Sequence, residues 1–109
     1  MHPKALEAAN LTAEINAART QAKAEIQEAI TNHGVRFLVV GNYTICYKIL
    51  KHDVLEVSTT IRAPNDRPDK TMGRVQALMR FTNGQRILLK KSARDATVKD
   101  FLQFTFSNY

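Results

Sequence analysis

In the first third of the chain, apolar residues recur at steps of three and four. Leu11, Ile15, Ala18, Ala22, Ile26, Ala29 and Ile30 fall on one stripe of a helix, and Glu7, Asn10, Glu14, Arg19, Lys23, Glu25 and Glu28 fall opposite. Pro3 suits the first helical turn, where its missing N–H has no partner to lose. Gly34 suits the left-handed position that closes many helices. The spacing predicts one amphipathic helix within residues 1–34. At 1.5 Å per residue it would measure roughly 45 Å, whereas the remaining chain should form a body only about 25–30 Å across. Either the helix breaks near Asn10–Thr12, where Asn or Thr would supply a second N-cap, or it stays continuous and overhangs. The second solution is the one expected here. Leu11, Ile15, Ala18 and Ala22 would then form the interface of a homodimer.

After Gly34 the period changes to that of a strand. Val35–Val40 is rich in β-branched and aromatic residues, and Gly41-Asn42 reads as a two-residue type II′ turn into Tyr43–Leu50. A second tight turn, Lys51-His52-Asp53, leads into Val54–Ile61, with His52-Asp53 taken as its two-residue loop for register, so residues 35–62 form a three-stranded meander. Residues 63–73, with Pro64 and Pro68, read as a loop. Arg74–Thr82 and Gln85–Lys91 flank Asn83-Gly84, a strong hairpin signal. Thr97 to Asp100 matches a capping box, which predicts a short helix from Val98 with an open end, because Phe104 and Phe106 alternate as a strand would. The expected fold is α+β. A long N-terminal helix covers an antiparallel sheet of about five strands, followed by a short C-terminal helix, all in one domain spanning residues 1–109.

Turn lengths fix which side chains share a face. One face would collect Val35, Phe37, Val39, Thr44, Cys46, Leu55 and Val57, beneath the long helix. The other would collect Arg36, Leu38, Tyr43, Ile45, Tyr47, Glu56 and Ser58. The second hairpin carries aliphatics and cations on both sides, so either the sheet is covered twice, with Phe101 and Leu102 as the second cover, or one side is an interface.

Charge adds an asymmetry. The chain carries 16 Lys and Arg against 10 Asp and Glu, a net +6. Residues 1–34 sum to −1, residues 35–62 to +2 and residues 63–109 to +5. The excess lies on the expected hairpin and its flanks: Arg67, Lys70, Arg74, Arg80, Arg86, Lys90, Lys91, Arg94 and Lys99. No apolar run approaches the ~20 residues of a membrane span, and the N-terminus lacks a secretory signal. The lone Cys46 allows neither an internal disulfide nor a multi-cysteine metal site. The expectation is a cytoplasmic protein, in a host-cell cytoplasm if viral, with no cofactor and no metal.

No catalytic constellation stands out. His2, His33 and His52 sit at a terminus, a helix end and a turn; Cys46 lies mid-strand as a small hydrophobe. No phosphate-cradling glycine loop or paired-histidine helix is present. The expected function is therefore non-enzymatic binding. The first reading is contact with nucleic-acid phosphates through the basic hairpin, with Tyr43, Tyr47 and Arg36 available for base stacking. The second is a protein-interaction module, an inhibitor or adaptor of viral or mobile-element character, docking its helix or basic strands on an acidic partner surface. The third is a binder of a small phosphorylated ligand.

Overall fold

Helix α1 runs unbroken through Pro3–His33, 31 residues, so Asn10–Thr12 does not interrupt it. The structure is a computed structural model that describes residues 3–62 and 69–107, with the side chains of α1 from Asn16 onward. Gly34, at φ +67°, turns the chain out of α1 as a left-handed residue. Strands β1 (Val35–Val40), β2 (Tyr43–Ile49) and β3 (Val54–Ile61) follow. Then come helix α2 (Lys70–Thr82), strand β4 (Ile87–Lys90) and helix α3 (Val98–Ser107). The sheet is fully antiparallel, in the order β1-β2-β3-β4. It has four strands where the sequence pattern predicted about five.

The missing strand is a helix. The expected hairpin over residues 74–91 is not formed, and the expected loop over 63–73 ends where α2 begins at Lys70. Asp69 caps α2, its side chain accepting from the Met72 N–H at 3.1 Å. Ala77 and Phe81, one turn apart, are its buried positions. Asn83-Gly84 ends this helix instead of turning a hairpin: Asn83 N–H donates to Met79 O at 3.0 Å, and Gly84 takes φ +81°. An Asn-Gly pair serves either purpose, because both need a residue tolerant of positive φ.

The first turn keeps the expected register, with Val40 opposite Tyr43 and Gly41 at φ +58°. The second differs by one residue. Its loop is Lys51–Asp53, closed by Leu50 N–H to Val54 O at 2.7 Å, with His52 and Asp53 both at positive φ. That extra residue slides β3 by one and exchanges its faces. Leu55 and Val57 join Ile45 and Tyr47 on one side, where Leu102 and Phe106 of α3 complete the core. Ser58 and Thr60 join Thr44 and Cys46 on the other. There α2 and the C-terminal end of α1 pack through Ala29, Ala77 and Phe81. The sheet is thus covered twice.

Small residues set the spacing of the α2 layer. A Cβ on Gly73 would lie 2.5 Å from Thr44 Oγ1, so only glycine permits this approach. Ser58 Oγ donates to Ala77 O at 2.7 Å in the same buried layer. Thr97 caps α3 as expected, with Asp100 N–H donating to Thr97 Oγ1 at 3.1 Å. Phe104 and Phe106 continue α3 and form no terminal strand.

Candidate functional site

The cations expected on a hairpin are dispersed over α2, β4 and the segment after it, and several serve the fold. Arg80 donates to Thr59 O at 2.8 Å, just beyond the last β3 residue that β4 pairs. The Arg86 guanidinium lies 4.9 Å above the Phe81 ring and 2.9 Å from Glu56 Oε2. Lys91 Nζ donates to Asp95 O at 2.7 Å and to Ser92 O at 3.2 Å, closing the loop that leads to α3. Arg74 is half-buried, 5.9 Å over Phe37, and its Nε has no hydrogen-bond partner among the described residues. Arg67 lies outside the described residues.

Lys70, Lys90, Arg94, Lys99 and Arg36 are exposed and form no ion pair among the described residues. Two of them come together with a residue the charge pattern did not single out. Lys91 N–H donates to Asp53 O at 2.7 Å, which ties the end of β4 to the β2–β3 turn. Exposed Lys51, Lys90 and Arg94 therefore share one end of the sheet. Lys51 belongs to a different segment of the sequence, so only the strand pairing reveals it.

The tyrosines do not form a stacking platform. Tyr47 is 2% exposed beneath α3, and burial pushes its hydroxyl pKa up against the partly offsetting charge of Arg36. Tyr43 is half-buried, its ring 5.5 Å from that of Phe106 and tilted by 52°.

Two clefts stand out by their linings. One, of about 560 Å³, lies at the start of α2 among Thr44, Thr60, Arg62, Lys70 and Gln76. Its position invites an anion, but Asp69 already takes the Met72 N–H there, and its carboxylate pairs with Arg19 at 3.4 Å. The other, of about 390 Å³, sets Glu25, Glu28, His33, Lys48 and Arg86 around a floor of Ala29, Val35 and Phe81. No group of three or more His, Cys, Asp and Glu among the described residues could hold a metal ion. Burial pushes the Cys46 thiol to about 12, so it is held protonated, which does not suit a nucleophile.

Helix α1 offers a surface of another kind. Asn16 through Gln21 are exposed on every side, Ala18 included, and Ala22 is half-buried. Ile26 and Ala29 are the buried residues of its described part. The side chains of Leu11 and Ile15 lie outside the described residues. Among the described residues, no helix is long and apolar enough to cross a membrane. No protein-family model, curated protein or solved structure matches the chain.

Proposed function

We propose that the chain is a non-enzymatic protein-interaction module of the cytoplasm, an adaptor or inhibitor that docks the projecting half of α1 into an apolar groove on a partner protein. The observation that carries this reading is the exposure of Asn16–Gln21 around the whole circumference of a continuous helix. A helical segment of that length without tertiary support is marginal in water. A groove that covers the turns around Ala18 and Ala22 supplies that support, the helix-in-groove mode of recognition.

The test is native mass spectrometry of the protein purified, after nuclease treatment, from cells that make it. The expected result is a stoichiometric partner protein, held at least about tenfold more weakly (~1.4 kcal/mol) by the Ala18→Glu, Ala22→Glu variant. A homodimer lost in that variant would instead assign the seam to a second copy. Retention of nucleic acid alone would overturn the reading.

A second reading rests on Lys51, Lys90 and Arg94. These exposed cations at one end of the sheet suit contact with nucleic-acid phosphates. Lys90 and Arg94 come from the expected hairpin and its flank, but here β4 pairs with β3 instead of turning a hairpin.

A further inference from the structure

We infer that the outer edge of β4 receives an extended acidic peptide from a partner protein, which joins the sheet as one more antiparallel strand. Lys91 N–H donates to Asp53 O at 2.7 Å, a pair that continues the β3–β4 register. Ile87 and Leu89 therefore turn their peptide groups to β3, and Leu88 and Lys90 direct theirs away from the sheet. Leu88 and Lys90 are both exposed, and no hydrogen bond among the described residues reaches those outward groups.

Side chains at this edge have little cover. Helix α2 packs over β2 and β3. Leu88, on the same face one strand further out, is 68% exposed, the most of any large apolar residue among the described ones. Ile87, on the opposite face, is 56% exposed. An edge that only had to resist pairing would need charge and short length. It would not need apolar side chains standing free on both faces.

Charge selects the occupant. Lys90 flanks Leu88 on the α2 face and forms no ion pair among the described residues. Arg86 flanks it on the other side, reaching Glu56 at 2.9 Å, and Glu56 is the β3 residue opposite Leu88. Lys48, opposite Glu56 on β2, adds a third cation to this face. A second copy of β4 is repelled, because antiparallel pairing about Leu88 sets Arg86 against Lys90 on both sides. An acidic strand is attracted. In the same pairing an apolar residue opposes Leu88, and the residues two positions to either side oppose Arg86 and Lys90. The peptide recognised thus alternates acidic, apolar and acidic side chains on one face, while backbone pairing supplies affinity common to any strand.

Fluorescence anisotropy and amide hydrogen exchange on the full chain test this with a labelled synthetic peptide, Thr-Glu-Val-Val-Val-Glu-Thr. Saturable binding is expected below about 1 mM. Saturating peptide should slow exchange of the Leu88 and Lys90 amides about tenfold or more, and of Ile87 and Leu89, already bonded to β3, much less. Replacing both glutamates by lysine, or the central valine by proline, should weaken the peptide at least about tenfold. Leu88→Pro, which removes an outward N–H that no bond within the chain uses, should do the same. Lys90→Glu should too, and it covers the case in which proline disturbs the strand. Ala18→Glu, Ala22→Glu on α1 should leave peptide binding unchanged. A peptide that does not bind, or binds equally well with lysines, overturns the inference. So does binding that survives both protein variants or leaves the Leu88 and Lys90 amides unprotected. Equal protection by a single-stranded oligonucleotide overturns it as well, and would assign these cations to phosphates.

Discussion

Cys46 sits at 0% exposure between the sheet and α2, and burial raises its thiol from an ordinary value near 9 to about 12, against a partly offsetting hydrogen bond with Ser58. A group whose pKa is higher folded than unfolded supplies stability that is complete below the unfolded value and lost as pH climbs towards the folded one. Denaturant melts should therefore show a loss of stability between about pH 9 and 12 that Cys46→Ala reduces. Thiol-reactive reagents at mildly alkaline pH should label Cys46 only at the rate of unfolding. Rapid labelling of the native protein would show that the thiol is reachable and that this packing is wrong. Arg80, Arg86 and Lys91 make a similar point about side chains: each carries a charge that suggests binding, and each is already engaged within its own fold.

At the scale of elements, α2 depends on how near it can come to β2. Gly73→Ala gains roughly 1 kcal/mol of helix propensity, but its Cβ would meet Thr44 Oγ1 at 2.5 Å and Thr44 Cβ at 3.3 Å. Overpacking of this kind costs about 1–3 kcal/mol. The single variant should be destabilised, and adding Thr44→Ala should recover stability, with a coupling of about 1–2 kcal/mol in a double-mutant cycle. Additive effects of the two substitutions would show that the approach is looser than described.

The elements most legible in the sequence are those fixed by local signals. The stripe and closing glycine of α1, the Gly41-Asn42 turn and the Thr97 cap all depend on residues a few positions apart. Helix α2 was illegible because Val75, Ala77, Met79 and Phe81 alternate as in a strand and Asn83-Gly84 suits both a hairpin and a helix end. The counter-signals were the strong helix formers Gln76–Arg80 and the Asp69 cap beside a proline-rich stretch. The slip in β3 came from one loop residue, Lys51, whose inclusion depends on His52 and Asp53 accepting positive φ. The candidate cations were legible as residue types but not as directions. The partners that hold Arg80 and Arg86 lie 21 and 30 positions away.

Over the whole molecule, the radius of gyration is 17.1 Å and the longest dimension 64 Å, whereas a compact chain of this length would have a radius near 13 Å. The 31-residue α1, about 47 Å long at 1.5 Å per residue, fits that elongation, the molecule's other two dimensions being 32 and 22 Å. Net charge also belongs to this scale. A +6 chain attracts polyanions at long range, but specific phosphate contact needs cations that converge. If Lys51, Lys90 and Arg94 each meet one phosphate, duplex binding should fall with salt at a log–log slope of about −2.7. Lys90→Glu with Arg94→Glu should abolish it. Micromolar protein that does not retard DNA or RNA at low salt would remove the nucleic-acid reading.

The packed end of α1 has its cover far downstream. Ala29 meets Ala77 and Phe81, so the helix leaves the ribosome well before α2 exists to receive it. At roughly 5–20 residues per second, synthesis leaves that face uncovered for several seconds, while the meander of β1 to β3 can already form. During this interval the whole length of α1, and not just its projecting half, is available to bind. A partner or chaperone that engages the nascent chain would meet a longer apolar stripe than the finished protein presents.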